Sequence, residues 1–269
     1  MSKTANVDLY GNAYGHFATS VLEQIRLETY REDIGQSGWM TADEYRRFFK
    51  LLELDAQSNV VDICSGSGGP AIFMAETTGC QVLGLDINEN GVLNAAKLSK
   101  SKGLETRVKF QNADASQRLP LEDDSIDAIV CIDAIIHLPN RITILKEWNR
   151  VLKPGGRILY TDPTIITGLV SKEEIAIRSS IGYFQFAPPG EDERLIKEAG
   201  FELIAANDVT DNAVKVSKRW HDARATRQQD LTSIEGAETF AGLQRFLMAV
   251  YELTSERRLS RFVFVARKK

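Results

Sequence analysis

The stretch Val60-Val61-Asp62-Ile63-Cys64-Ser65-Gly66-Ser67-Gly68-Gly69-Pro70 joins a short apolar run to a glycine turn. Glycine residues let the backbone approach a ligand closely, and the first N–H groups of a following helix are free to bind a polar group. Pro70 suits the first turn of such a helix. The stretch therefore predicts a strand, a tight turn and a helix, with a ligand such as an adenosyl group held against the turn.

Short apolar strands alternate with amphipathic helices on the C-terminal side of this stretch, which predicts an α/β fold with a parallel sheet covered on both faces. Two segments with helical patterns follow residue 163, and we expect them to form a lid over the functional edge of the sheet. The predicted strands are Val60–Cys64, Gln81–Leu85, Val108–Gln111, Ala128–Ile132, Arg157–Thr161, Phe201–Val209 and Leu259–Ala266.

No linker or repeat divides the chain, so we predict one domain over residues 1–269. Within it, residues 1–55 form a helical cap, residues 56–163 form the ligand-binding core, and residues 164–269 contain the lid insertion and the last strands. Long helical sequence is expected over Val214–Thr254.

Composition narrows the class of protein. The formal net charge of -4 gives no electrostatic reason to expect a nucleic-acid partner. Cys64, Cys80 and Cys131 form neither a CxxC pair nor a zinc spacing, so we expect free thiols. The three histidines show no metal-binding motif, so no catalytic metal is expected. Because no signal-like or membrane-spanning apolar run is present, we expect a cytoplasmic protein without a membrane partner.

An acidic residue lies at or just beyond the end of each of three predicted strands, namely Asp62, Asp86 and Asp114. Open α/β sheets bind ligands beyond the carboxyl ends of their strands. The Asp86 carboxylate can accept hydrogen bonds from both hydroxyl groups of a ribose, and Asp114 can accept one from an adenine amino group. The glycine turn and Ala71 also fit a dinucleotide-binding pattern, so an NAD-dependent oxidoreductase stays open at this point.

The core resembles the class I S-adenosylmethionine-dependent methyltransferases. The resemblance rests on the Val60-to-Gly68 stretch, Gly84-Leu85-Asp86-Ile87-Asn88, Ala113-Asp114-Ala115, Ser125-Ile126-Asp127-Ala128-Ile129-Val130 and Leu152-Lys153-Pro154-Gly155-Gly156-Arg157. It implies a Rossmann-like sheet of seven strands, one of them antiparallel, which disfavours NAD. The family usually has a glycine where this chain has Cys64.

The same resemblance implies the cofactor contacts. Asp62, Gly66 and Gly68 are expected around the methionine part of S-adenosylmethionine, Asp86 at the ribose, and Asp114 with Ala115 at the adenine. Within the same stretches and just beyond the fourth strand, we predict four further pocket residues, namely Ser65, Ile87, Ile132 and Asp133.

The segment Glu32-Asp33-Ile34-Gly35-Gln36-Ser37-Gly38-Trp39 adds a resemblance to small-amine N-methyltransferases such as those acting on phosphoethanolamine, glycine or sarcosine. In that group this segment and an upstream tyrosine close over the methyl donor. The resemblance implies that Gln36, Ser37 and Tyr14 contact the cofactor, with Tyr10 as the other candidate tyrosine.

Methyl transfer from a sulfonium needs positioning and, for many acceptors, removal of a proton. His137, just beyond the fourth predicted strand, is the expected catalytic base, and its spacing from Asp133 matches the N-methyltransferase group. The alternative is a histidine that only packs near a helix start. Arg178, Tyr183 and Phe184 in the lid are predicted to bind the substrate, through a cation for phosphate or carboxylate or through rings. A lid that only packs on the sheet is the alternative.

The sequence therefore predicts a methyltransferase acting on a small molecule, with nitrogen the first choice of acceptor, then oxygen, then carbon. Fold alone does not identify the acceptor. The rivals are an NAD-dependent oxidoreductase and a non-catalytic methyltransferase-like interaction subunit. A homo-oligomer is compatible with these features.

Overall fold

The computed structural model describes residues 7–269, apart from the side chain of Asn12. Its sheet contains β1 (Asn59–Ile63), β2 (Gln81–Asp86), β3 (Val108–Asn112), β4 (Ile126–Cys131), β5 (Leu152–Ile166), β6 (Phe201–Asp208) and β7 (Leu259–Lys268). The helices of the described chain are α1 (Leu9–Gly15), α2 (Ser20–Tyr30), α3 (Ala42–Leu51), α4 (Gly69–Thr78), α5 (Glu89–Ser101), α6 (Arg141–Val151), α7 (Lys172–Arg178), α8 (Glu191–Glu198), α9 (Thr210–Ala225), α10 (Gln228–Glu235) and α11 (Ala237–Ser255).

The strand order is β3-β2-β1-β4-β5-β7-β6. Strands β1 to β5 are parallel, while β7 runs antiparallel to both β5 and β6. The chain reverses its direction across the sheet between β1 and β4, and ligands bind at such a switch point. The predicted seven-stranded α/β fold with one antiparallel strand is confirmed, and the terminal strand pair separates it from a standard dinucleotide fold.

Apolar side chains cover both faces of the sheet. One cluster packs α6 and α8 on the sheet around Trp148, Tyr160 and Phe264, and the other packs α3 and α4 around Phe49 and Ile72. Burial of this apolar surface supplies the main favourable term for the fold. In residues 7–269 no helix is long and apolar enough to cross a bilayer.

The cap and the lid meet above the carboxyl edge of the sheet. Thr41 caps α3 through its hydroxyl, as its sequence position predicts for a helix start. The lid lies between β5 and β6 and contains α7 and α8. The helical sequence expected over 214–254 forms three helices, because a turn at Arg227 and a positive φ of 84° at Gly236 divide it into α9, α10 and α11.

Candidate active site

A cavity of about 320 Å³ opens at the carboxyl edge of β1, β2 and β4. Its walls come from the glycine turn, from α1, from the segment before α3 and from the start of the lid. The residues of these walls are Tyr10, Tyr14, Gly35, Ser37, Gly38, Tyr45, Asp62, Cys64, Ser65, Gly66, Ser67, Pro70, Asp86, Ile87, Asn88, Ile132, Asp133, Ala134, His137, Ile181, Gly182 and Tyr183. The structure thus brings residues from six separate stretches of the sequence to one cleft.

The glycine turn forms the floor of the cleft. Gly66 has a φ of 54°, and a Cβ atom there would lie 2.5 Å from the Tyr14 hydroxyl oxygen. A side chain at this position would therefore strike the cap, which explains the need for glycine. Tyr14 and Ser37 both line the cleft, so α1 and the segment before α3 come together over the turn.

Two carboxylates face this floor. Asp86 accepts hydrogen bonds from the backbone N–H groups of Gly66 and Asn88, each at 2.7 Å. Burial, and secondarily the neighbouring Asp86 charge, raises the pKa of Asp62 to about 8. Within the described chain no cationic side chain forms an ion pair with Asp62 or Asp86. Buried carboxylates without a cation fit a ligand that carries positive charge.

Some predicted cofactor residues do not line the cleft. The Gln36 amide is buried, where it accepts from Ile34 N and donates to Glu32 O, so it braces its own turn. Gly68 packs against Phe110 behind the turn. Asp114 is exposed and accepts from Ser116 N at 2.9 Å, and Ala115 lies in the core below it. The side chains of Gln36 and Asp114 satisfy local backbone groups, which spacing alone does not reveal.

Asp133 lines the cleft, but both of its oxygens are engaged. Oδ1 accepts from Arg261 Nε at 2.6 Å and from Thr161 Oγ1 at 2.7 Å, and Oδ2 accepts from Trp39 N at 2.7 Å. Arg261 also donates to Glu44 at 2.9 Å, and its side chain is fully buried. Both oxygens of the Asp133 carboxylate therefore already accept hydrogen bonds from within the protein. Asp133 joins β4 to the cap.

Sequence reasoning missed Arg261. It lies on β7, 128 residues after Asp133. The only local signal is an arginine inside a strand whose neighbouring residues are buried, which is unusual for a charged residue.

His137 lines the cleft from a short 3₁₀ turn (Ile135–His137) just beyond β4. Its Nδ1 is 2.8 Å from the Tyr183 carbonyl oxygen, and its Nε2 is 2.8 Å from the Tyr10 hydroxyl. Because a carbonyl oxygen only accepts, Nδ1 carries the proton and Nε2 accepts from Tyr10. Burial lowers the pKa of His137 to about 4, so the ring is neutral at physiological pH.

The lid places a cation and aromatic rings beside His137. Arg178 is buried, and its guanidinium lies 4.7 Å from the centre of the Phe184 ring and 5.1 Å from that of Phe246. No carboxylate of the described chain forms an ion pair with it, and Nη1 has no hydrogen-bond partner there. Burial lowers the pKa of Arg178 to about 10. Phe184 packs edge-on against His137, with ring centres 4.6 Å apart.

Arg178 and Phe184 line a smaller recess that adjoins the cleft and shares Tyr10 and His137 with it. Tyr183 lies at the mouth of the main cleft with its side chain half exposed. Of the three predicted substrate residues, two therefore face the recess and one faces the cleft.

Comparison with known proteins gives the class of this site. A family model described as a methyltransferase domain matches residues 61–160, which span β1 to β5 and the glycine turn. Methyltransferase GfsG of Streptomyces halstedii is 34% identical over 61% of this chain and 60% of its own length. The 27-O-demethylrifamycin SV methyltransferase of Amycolatopsis mediterranei is 29% identical over 88% of this chain and 89% of its own.

Phosphoethanolamine N-methyltransferase 3 of Arabidopsis thaliana is 29% identical over 70% of this chain but only 38% of its own length. The chain thus spans less than two thirds of several of its relatives.

Solved structures show the same fold. A putative sarcosine dimethylglycine methyltransferase from Galdieria sulphuraria superposes with a TM-score of 0.75 at 23% identity, over 85% of this chain and 83% of that one. The cyclopropane synthase MmaA2 from Mycobacterium tuberculosis gives a TM-score of 0.80 at 14% identity, over 97% and 99%. The matched domain and the curated relatives support a class I S-adenosylmethionine-dependent methyltransferase, and the solved structures share its fold.

Proposed function

We propose that the protein transfers a methyl group from S-adenosylmethionine to a nitrogen atom of a small acceptor that carries one anionic group. The observation that carries this proposal is the Tyr10–His137 pair at the acceptor end of the cleft, with Tyr10 Oη 2.8 Å from His137 Nε2. The pair couples α1 of the cap to the turn after β4.

The cleft fits the cofactor. Asp62 is suited to the methionine ammonium, because a positive charge relieves the cost of ionising this buried carboxyl. The two Asp86 oxygens keep lone pairs for ribose hydroxyls, and exposed Ile87 offers an apolar surface beside them for adenine. Ser65, Gly66, Ser37, Tyr14 and Ile132 complete the walls. When bound, the cofactor supplies an electrophilic methyl group on a positively charged sulfur.

The chemistry of His137 favours nitrogen. A base with a pKa of about 4 is too weak to remove a proton from an aliphatic alcohol ahead of methyl transfer. A neutral amine attacks with its own lone pair and needs only orientation. His137 Nε2 accepts a hydrogen bond in this structure, so it suits the N–H of such an amine or the relay hydroxyl of Tyr10. Positioning of this kind can lower the barrier by several kcal/mol, of about the size seen for well-oriented intramolecular reactions.

The lid supplies the specificity in this proposal. Arg178 is a buried cation without a carboxylate partner in the described chain, and a carboxylate or phosphate on the acceptor would provide the missing charge and hydrogen bonds. Phe184 packs beside it, and Tyr183 closes the mouth of the cleft. Two relatives support this choice by name, phosphoethanolamine N-methyltransferase 3 of Arabidopsis thaliana and a glycine/sarcosine/dimethylglycine N-methyltransferase of Actinopolyspora halophila.

Oxygen is the second candidate. The Tyr10 hydroxyl already hydrogen-bonds to His137, and an acceptor hydroxyl that took its place would meet the same nitrogen. The rifamycin relative, which aligns over most of both chains, is named an O-methyltransferase by its 27-O position. A phenol or another acidic hydroxyl suits the weak base better than an aliphatic alcohol.

The test is a methyl-transfer screen with labelled donor across amino acids, phosphorylated amino alcohols, phenols and neutral amines. We expect His137→Ala to lower kcat by about 100-fold, the size of the loss when an acceptor is misplaced by about 1 Å, while S-adenosylhomocysteine affinity changes by less than about threefold. His221→Ala is the matched control, because His221 contacts Asp222 on α9, away from the cleft. Full turnover in His137→Ala would exclude His137 from the reaction. A preference for phenols would identify oxygen, and not nitrogen, as the acceptor atom.

A further inference from the structure

Two cysteines lie side by side under the cofactor cleft. Asp62 of β1 pairs with Val130 of β4, so Cys131 is one residue beyond this pair and Cys64 is two beyond it. Neighbouring strands are about 4.8 Å apart and rise by about 3.3 Å per residue. The two Cα atoms therefore fall within the span of about 4.4–6.8 Å that a disulfide requires.

The side chains meet in the same apolar cluster. Cys64 has a φ of 59°, a left-handed conformation that ends the strand, and its side chain packs against the cluster that contains Cys131. Cys131 is a fully buried member of this cluster. Cys80, in contrast, is buried in the cluster on the other face of the sheet.

The two thiols differ in access. Cys64 is only partly buried and lines the cleft, whereas Cys131 is fully buried beneath it. An oxidant that enters the cleft from solvent therefore meets Cys64 first, and Cys131 is the thiol that can resolve the oxidised product.

We propose that Cys64 and Cys131 form a reversible oxidation site for hydroperoxides, and that their disulfide weakens cofactor binding. The Cys64 thiolate attacks the terminal oxygen of ROOH, an S–O bond forms, the O–O bond breaks, and ROH leaves with a proton. Cys131 sulfur then attacks the Cys64 sulfenic acid, an S–S bond forms, and the hydroxide leaves as water with the Cys131 proton. The two thiols lose two electrons and the peroxide gains them.

The effect on the cleft follows from which sulfur can move. Cys131 is held in β4, where it pairs with Tyr160 of β5, so the glycine turn must shift to bring the sulfurs to about 2 Å. Ser65 N donates to Leu85 O at 3.0 Å and Gly66 N to Asp86 at 2.7 Å, and these bonds follow Cys64 directly. A shift of Cys64 therefore disturbs the turn and Asp86 together. This inference rests on the proposed position of the cofactor against the turn.

The experiment treats the full-length protein with hydrogen peroxide without cofactor, and follows the Cys64–Cys131 cross-linked peptide by non-reducing peptide mass spectrometry. S-adenosylhomocysteine affinity is measured before oxidation, after it, and after dithiothreitol. We expect the cross-link to form, the Kd to rise at least about tenfold, and dithiothreitol to reverse both. Bound S-adenosylhomocysteine should slow the cross-link, because it covers Cys64.

The control variants separate the pair from general oxidation. Cys64→Gly suits the left-handed backbone, and Cys131→Ala leaves Cys64 without a resolving thiol, so peroxide should not raise the Kd of either variant by the dithiothreitol-reversible tenfold step. Cys80→Ser should behave like the parent protein. Absence of the cross-link, or a cross-link with unchanged Kd, would overturn the proposal. Failure of the reduced protein to bind S-adenosylhomocysteine would instead contradict the proposed function.

Discussion

The carboxylates at the ends of β1 and β2 differ from those associated with β4 and β5. Asp62 and Asp86 face the cleft, and no side-chain cation of the described chain pairs with them. Asp133 is paired with buried Arg261, and Asp162 with buried Arg141 at 2.6 Å. All four follow the same sequence pattern, an acidic residue at or near the end of an apolar strand.

The role of a carboxylate is therefore not decided by its position at the carboxyl edge of the sheet. It depends on whether a cationic side chain pairs with it. At β1 and β2, the ligand-binding half of the edge, Asp62 and Asp86 have no cationic partner in the described chain and are available to a ligand. At β4 and β5, Asp133 and Asp162 form ion pairs that hold the cap and the lid. Arg141 also pairs with Asp192 of α8 at 2.8 Å, which fixes the lid. The Asp133 cluster fixes Trp39 and Glu44 of the cap.

The largest effect is expected from Arg261→Met. Removal of one partner of a buried ion pair leaves Asp133 and Glu44 with an uncompensated charge, so the free energy of unfolding should fall by about 3–5 kcal/mol. Urea unfolding measures this loss. Arg267→Met, on the same strand but in an exposed pair with Glu202, is the control and should leave stability unchanged. If Arg261→Met left stability unchanged but lost cofactor affinity, the role of Asp133 would be ligand binding and not stabilisation of the cap.

A smaller effect is expected from Asp86→Ala. Loss of charge-assisted hydrogen bonds to two ribose hydroxyls should raise the Kd of S-adenosylhomocysteine about 100-fold, which corresponds to about 2.7 kcal/mol. Isothermal titration calorimetry checks this value. Asp43→Ala, an exposed carboxylate on α3, should leave the Kd unchanged. An unaltered Kd in Asp86→Ala would remove Asp86 from the cofactor site.

The smallest effect is expected in the pH dependence of cofactor affinity, which should come from Asp62 in the ligand-binding half. Asp62 has a pKa of about 8 in the free cleft, so it is mostly protonated below that pH. If the cofactor ammonium needs the carboxylate, binding releases a proton, and affinity should rise by up to about tenfold per pH unit from pH 6 to 8. Asp62→Asn should abolish this slope. An affinity that falls as the pH rises would contradict the pairing of Asp62 with the ammonium.

Much of the fold could be predicted from local patterns. The strands of the core repeat apolar residues over lengths that suit a parallel sheet, and every predicted strand overlaps an observed one. Helix ends were less predictable. The pattern over 214–254 is helical almost throughout, and only Gly236 and the turn at Arg227 divide it.

The candidate site was predictable where it is built from consecutive residues. The glycine turn, Asp86 and His137 all reach the cleft because each lies next to a strand end. Gln36 and Asp114 do not, because each side chain satisfies backbone groups within a few residues of itself. Such local hydrogen bonds compete with ligand contacts and leave no trace in spacing.

The sequence by itself determined the order of the strands along the chain and the glycine turn, since these depend on local patterns and short motifs, and its resemblance to the class I methyltransferases implied the methyl donor. The tertiary structure alone decided which carboxylates remain for a ligand. It also placed Tyr10 on His137, left Arg178 without a carboxylate partner in the described chain, and brought Cys64 to Cys131. Each of these depends on a side chain from a distant segment, and the energy of a buried charge or thiol is set by what lies within a few ångströms of it.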